Sequence, residues 1–386
     1  MTRTLYINGQ VLLPDGFSNA ASIEVDGDRI AAVHHHARPQ LDCETVDLEG
    51  DCLTPGFIDV QVNGGKGVLF NDAPTLEGLT NILSAHSARG TTALMPTLIS
   101  DDLDVIRSGV AAVDQAIARG VPGVLGIHIE GPFLNREKCG IHDPAKFRTL
   151  NDEMIDLLSS LKHGKTLVTL APEMCTTSQI TALTKRGVIV SLGHSNGTYE
   201  DAVRAINGGA SGFTHLFNAM SPLTSRQPGL VGAALESSDV WTSVIVDGFH
   251  VSPTVLKLAL KSRPLNKMML ITDAMPNIGT QIDHFYLQGR KIFVEDGACR
   301  DEHGTLAGAA LDMGLAVRNS ISMLGISAAE AINMASKYPA QFLGIDDDFG
   351  EISVGKRADF VRLNSKLEVI ETIIGSGQTW KVEAEL

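Results

Sequence analysis

Eight short apolar or β-branched runs recur along the middle of the chain: "PGFIDVQVN" (55–63), "TTALMPTLI" (91–99), "GVLGIHIEG" (123–131), "KTLVTLAPE" (165–173), "GVIVSLGHS" (187–195), "SGFTHLFNA" (211–219), "WTSVIVDGFH" (241–250) and "MMLITDAM" (268–275). Most of the gaps hold helix-like segments, such as "LEGLTNILSAHSARG" and "DLDVIRSGVAAVDQAIARG", and several of these close on Gly, a helix-stop signal. Eight strands alternating with helices predict an α/β fold, a (β/α)8 TIM-type barrel, for which ~250 residues is typical. The rival, a doubly wound open sheet, usually shows a Gly-rich phosphate loop after an early strand. None is present.

The flanks follow another pattern. "TLYINGQVLL", "ASIEVDGDRIAAV" and "ETVDLEGDCLTPG" are short alternating segments separated by Asn-Gly and Asp-Gly, a hairpin signature. The C-terminal "GEISVGKRADFVRLN" and "LEVIETIIGSGQTWKVE" are similar. Residues 1–54 and 346–386 are therefore expected to share one small β-sandwich domain, leaving 55–345 to the barrel. After the eighth run, "HFYLQGRKIFVEDGACRDEHGTLAG" (284–308) reads as a hairpin insertion, about 281–304, and insertions after barrel strands lie on the active face.

The 386 residues include 31 Lys+Arg against 45 Asp+Glu, a formal net charge of −14. Nucleic-acid and membrane-surface binding both need basic footprints, so neither partner is expected. An anionic small molecule remains compatible if a few cations gather locally. The five cysteines are odd in number and lack CxxC spacing, which reads as reduced thiols. No leader-like apolar segment opens the chain, and no run approaches ~18 apolar residues, so a cytoplasmic location is expected.

In such barrels the chemistry sits at the C-terminal strand ends. Those ends carry Gln61 and Asn63 (first run), His128 and Glu130 (third), His194 (fifth), His215 (sixth), His250 (seventh) and Asp273 (eighth). Packing alone does not place four of twelve histidines and two acids there. A catalytic zinc-type centre takes about three protein ligands and leaves a position open. Glu130, His194 and His215 supply one carboxylate and two imidazoles. His128 shares the strand face of Glu130 but lies one step deeper, where a packing or supporting role is expected.

The fragments "GFIDVQVNGG", "HIEGPF", "GHSNGT", "THLFNAM" and "ITDAM", in this order, resemble the amidohydrolase superfamily, and within it the family of N-acetylglucosamine-6-phosphate deacetylases. The resemblance covers nearly the whole chain, including the split β-domain. It implies hydrolysis of N-acetyl-D-glucosamine 6-phosphate to D-glucosamine 6-phosphate and acetate, in amino-sugar catabolism and cell-wall sugar recycling. Glu130 stands where many superfamily members carry a carboxylated lysine bridging two metals, and His194 and His215 complete the ligand set. The resemblance further makes Asp273 the base towards metal-activated water and then the acid towards the leaving amine. His142, in "CGIHDPAKF", would hydrogen-bond the substrate amide oxygen.

Where the superfamily normally has His-x-His, this chain has Gln61 and Asn63, whose amides are poor transition-metal ligands. One divalent metal per subunit is therefore expected, zinc first, with iron or another divalent ion compatible with the same ligands. The two amides are left to the substrate side. By the same resemblance Arg226 and His250 contact the phosphate, with Arg226 reaching in from the neighbouring subunit of a homodimer. Asn218 and Ala219, Leu306, Ala307 and Gly308, and Ile141 would line the sugar site. Another amidohydrolase, acting on a different N-acetylhexosamine 6-phosphate or a cyclic amide, would keep the metal residues and differ around the phosphate. A non-catalytic scaffold of the same fold would have lost ligand or base positions. Two features are set aside: His34-His35-His36 as a solvated turn, and Asp346-Asp347-Asp348 as an exposed linker.

Overall fold

The computed structural model describes residues 3–35, 43–375 and 378–381. Each of the eight runs contributes one strand to a single sheet: Phe57–Val62, Thr91–Ile99, Gly126–Glu130, Lys165–Leu170, Ile189–Leu192, Gly212–Phe213, Trp241–Val244 and Met268–Leu270. They are ordered in the sheet as in the chain, and the second through eighth pair in parallel. Past the last strand, Val62 bridges Ala274 in parallel, Asn63 N donates to Ala274 O (2.9 Å) and Asp273 N donates to Gln61 O (3.0 Å). These contacts bring the first and eighth strand ends together, as a barrel requires.

The strands are largely apolar because both faces are covered, and even Asp59 and Gln61 of Phe57–Val62 are buried. All nine residues of Thr91–Ile99 and all five of Gly126–Glu130 are buried. Outer helices carry the matching stripe: Leu103–Ala118 buries Ile106, Val110, Val113 and Ala116 at helical spacing. The helices Thr177–Lys185 and Tyr199–Asn207 begin with capping boxes, at Thr176 with Gln179 and at Thr198 with Asp201. Gly126 has no substitute in this packing, since a Cβ there would lie 1.8 Å from Lys165 O. The sixth strand stops at Phe213, well short of the run that announced it, because His215, Phe217 and Ala219 all take positive φ.

The insertion after the eighth strand is larger than the hairpin the sequence suggested. It is a four-stranded antiparallel sheet, His284–Leu287, Arg290–Glu295, Ala298–Asp301 and Leu306–Ala309. Phe285, Leu287, Ile292 and Cys299 pack in one cluster with Ile99 and Met275 at the barrel strand ends.

The terminal segments form two further sheets, one of four strands and one of six. In the larger one Phe360–Leu363 lies antiparallel to Cys52–Pro55, which unites the two ends of the chain. Ile23, Val25 and Ile30 from one sheet share a core with Val11, Leu53 and Phe360 from the other. By contacts the chain divides into two compact units, Met1–Asp59 with His86–Ala93 and Asp312–Leu386, and Val60–Ala85 with Leu94–Leu311. His34 ends the strand Arg29–His34, with Nε2 3.2 Å from Glu24 Oε2, so it is not in a solvated turn. His35 is exposed, and His36 lies outside the described residues. Asp347 and Asp348 are exposed, as expected, and Asp348 also pairs with Arg29.

Candidate active site

Three strand ends converge. Glu130 closes the third strand, and His194 and His215 follow the fifth and sixth. Their ligand atoms lie within 4.8 Å of one another, and all three residues are buried. Glu130 Oε1 is 2.9 Å from His215 Nε2 and 3.3 Å from His194 Nε2, and the two Nε2 atoms are 3.1 Å apart.

Hydrogen bonding fixes what these atoms are. His194 Nδ1 lies 2.9 Å from Lys138 O, a carbonyl that can only accept, so Nδ1 carries the proton. In the neutral ring Nε2 is then a lone pair aimed at a carboxylate oxygen. Acceptors facing acceptors in a buried place repel unless a cation stands among them. Without a metal, that cation is a proton. Burial works against charging His215, but the Glu130 carboxylate outweighs it and holds the imidazole above its ordinary value. Burial would raise Glu130, yet the surrounding imidazoles hold it well below the carboxylate range. One carboxylate and two imidazoles suit a divalent transition metal with an open position.

Beside the cluster lies Asp273. Its Oδ1 accepts from Asn63 Nδ2 (2.7 Å) and Gln61 Nε2 (3.2 Å), and Gln61 Nε2 also reaches Glu130 Oε1 (3.1 Å). Burial and the nearby Glu130 charge push the Asp273 carboxyl up to about 6. His142 Nδ1 accepts from Ser100 N (3.2 Å), which leaves Nε2 as the protonated nitrogen, 3.7 Å from Glu130 Oε2. Burial first, then His194, lowers His142 to about 4, so the ring is neutral near pH 7. It presents an N–H donor. His128 is held elsewhere: Nε2 lies 2.8 Å from Thr169 Oγ1 and Nδ1 3.2 Å from Thr97 Oγ1.

The backbone at this site is strained. His194, His215 and Asp273 take φ of 48°, 37° and 51°, a region non-glycine residues enter at a cost of order 1–3 kcal/mol each. Each is fastened. His194 O accepts from Asn135 N (3.0 Å), His215 N donates to Ser243 Oγ (2.8 Å), and Asp273 O accepts from Ala309 N (2.9 Å).

A cavity of about 300 Å³ opens over these groups. Glu130, His142, His194, His215 and Asp273 line it, with Asn63, Ile141, Asn218, Ala219, His250, Leu306 and Gly308. Gln61 and Ala307 are buried behind this surface, and Arg226 lies exposed, outside the cavity of its own chain. His250 Nδ1 pairs with Asp247 Oδ2 at 2.6 Å, turning Nε2 outward. Burial opposes ionising Asp247, but His250 holds it below its ordinary value. Sequence reasoning missed Glu137, Lys138 and Thr305, which also line the cavity. The first two flank His142 in the loop after "HIEGPF", the one signal that was available.

The Amidohydrolase family model matches residues 52–379. An N-acetylgalactosamine-6-phosphate deacetylase of Shewanella sp. (strain ANA-3) is 43% identical over 336 residues, 87% of this chain and 85% of that protein. An N-acetylglucosamine-6-phosphate deacetylase of Haemophilus influenzae is 37% identical over 363 residues, 93% of this chain and 94% of that protein. The crystal structure of N-acetylglucosamine-6-phosphate deacetylase from Pasteurella multocida superposes with a TM-score of 0.94 at 36% identity, covering 98% of this chain and all of that one.

Proposed function

The chain belongs to the amidohydrolase family, and we propose that it hydrolyses the acetamide of N-acetyl-D-glucosamine 6-phosphate, releasing acetate and D-glucosamine 6-phosphate. The observation that carries this reading is the buried Asp273 carboxyl, raised and amide-held, beside the Glu130–His194–His215 cluster on the floor of a sugar-sized cavity. The relatives' names supply the substrate class.

Glu130, His194 and His215 would hold one divalent ion, with zinc suited to two imidazoles and a carboxylate. When bound, such an ion acidifies water and polarises the amide carbonyl. The chain's own groups do the rest. Asp273 keeps Oδ1 fixed by Asn63 and Gln61, which leaves Oδ2 to take a proton from water and return it to the departing amine. A carboxyl whose proton affinity lies nearer neutrality than usual can do both. His142, as the Nε2–H tautomer, donates to the amide oxygen as charge builds there. Asn63 Oδ1, buried and without a partner among the described residues, is available to a sugar hydroxyl.

Lys138 is the one Lys or Arg lining the cavity among the described residues, against the acids Glu130, Glu137 and Asp273. A phosphate needs more positive charge than that. This supports His250 as one phosphate contact and Arg226, exposed on its own subunit, as another contributed across a homodimer. An amino-sugar enzyme of this kind would work in the cytoplasm, in recycling and catabolism.

Acetate release from N-acetylglucosamine 6-phosphate, its galacto epimer and unphosphorylated N-acetylglucosamine tests the reading. Loss of charged hydrogen bonds to phosphate should lower kcat/KM by about 100-fold for the unphosphorylated sugar. Equal rates with and without phosphate, or no acetate from either phosphosugar, would overturn the proposal. The 43% identity to an N-acetylgalactosamine-6-phosphate deacetylase favours a second reading, in which the galacto epimer is the better substrate. The same assay separates the two.

A further inference from the structure

Three residues beyond the fourth barrel strand stands a carboxylate that the chemistry above leaves unused. Glu173 Oε1 accepts from Asn135 Nδ2 (2.9 Å) and from Asn196 N (2.8 Å), while Oε2 accepts from Ser195 Oγ (2.6 Å). Every one of these donors belongs to a loop that shapes the site. Asn135 N donates to His194 O at 3.0 Å, and Asn135 Oδ1 accepts from Glu137 N at 2.8 Å, starting the short turn Arg136–Lys138. The carbonyl of Lys138 then takes the His194 Nδ1 proton at 2.9 Å.

The result is a closed ring. It runs from Glu173 through Asn135 and the turn to the His194 imidazole, back along the His194 backbone to Ser195, and so to Glu173. Room is made for it, since a Cβ on Gly197 would lie 2.7 Å from Glu173 Oε2. Two features of His194 need such a ring. Its backbone is left-handed, with φ of 48°, and its Nε2 is useful only while Nδ1 is fixed on a carbonyl.

We propose that Glu173 is a positioning residue: by joining the loop that starts at Asn135 to the turn 194–197, it holds His194 with Nε2 aimed at Glu130 and so sets the affinity for the metal. The same ring lays residues 137–142, including His142, over the cavity. The proposal rests on the reading of His194 as a metal ligand.

The test measures the zinc affinity of the full-length protein by competition with a chelator, alongside kcat/KM at saturating zinc and Tm, for wild type, Glu173→Ala, Glu173→Gln and His194→Ala. Partners that orient a metal-binding imidazole typically change affinity by about 10–100-fold when removed, which is the expectation for Glu173→Ala. Glu173→Gln, which keeps an acceptor and the side-chain length, should recover part of that loss. A Glu173→Ala protein with reduced Tm but zinc affinity within about twofold of wild type would overturn the proposal, leaving Glu173 only a structural role. Should Glu173→Ala not fold, Glu173→Gln decides: a zinc affinity lowered by about threefold or more supports the proposal, and a smaller change overturns it. If His194→Ala binds zinc as wild type does, the ligand reading fails, and this inference with it. If His194→Ala loses zinc while the Glu173 variants do not, only this inference fails.

Discussion

Two buried imidazole environments lie one step apart in the same barrel, and they behave oppositely. At the deeper one, His128 sits between Thr97 Oγ1 (3.2 Å) and Thr169 Oγ1 (2.8 Å), and the line continues through Thr214 to Ser191 with contacts of 2.8 and 2.7 Å. Each hydroxyl can donate or accept, so the chain of bonds completes itself, and burial lowers His128 to about 4, keeping it neutral. At the strand ends His194 and His215 are also buried, but His194 turns its Nε2 lone pair toward the Glu130 carboxylate, and His215, whose Nδ1 has no partner among the described residues, meets both through Nε2. Burial and residue type are the same in both places. What separates a structural histidine from a ligand is whether its partners can complete the hydrogen bonding without a cation.

The contrast predicts different costs for substitutions in the two places. Glu130→Gln removes the charge that calls for the cation. Turnover should fall by about a thousandfold or more and metal should be lost, while the Tm of the metal-free protein falls, because the carboxylate held below its ordinary value by the imidazoles stabilises that fold near neutral pH. Elemental analysis with thermal unfolding checks both halves. Asp273→Asn should keep the metal and lose about 10²–10⁴-fold in kcat, read by acetate release. Retention of near-wild-type turnover would remove Asp273 from the chemistry. His250→Asn should raise KM for the phosphorylated sugar by about tenfold and leave kcat nearly unchanged. The smallest kinetic effect belongs to the deeper layer. His128→Leu should leave kcat/KM within about threefold but cost ~1–3 kcal/mol of stability, because the Thr97 and Thr169 hydroxyls lose a partner. A His128→Leu protein of normal stability and poor turnover would erase the distinction.

The barrel was legible because parallel strands covered on both faces read as largely apolar or β-branched runs, and eight of them recur between helix-like segments. The strand-end positions of Glu130, His194, His215 and Asp273 were legible for the same reason, since counting along a strand gives the end at which a side chain emerges. Their left-handed backbone was not. Sequence rules expect Gly or Asn at positive φ, whereas here imidazoles and a carboxylate are held there by bonds to residues far along the chain. Glu173 was invisible for a related reason: its partners Asn135, Ser195 and Asn196 lie at separations that carry no periodicity. The line of Thr97, Thr169, Thr214 and Ser191 read only as strand-forming residues, and its role emerged once the strands were set side by side. The extra sheet after the eighth strand was underestimated because its four strands are short and their turns alone cannot say how many return.

The central claim is that a single cation, held by Glu130, His194 and His215, completes a site otherwise built of opposed acceptors. Titrating zinc into the metal-free protein while following acetate release from N-acetylglucosamine 6-phosphate tests it most directly. The account predicts no turnover at the start and a linear rise that breaks at one equivalent per chain. Turnover without added metal, or a break at two equivalents, would contradict it.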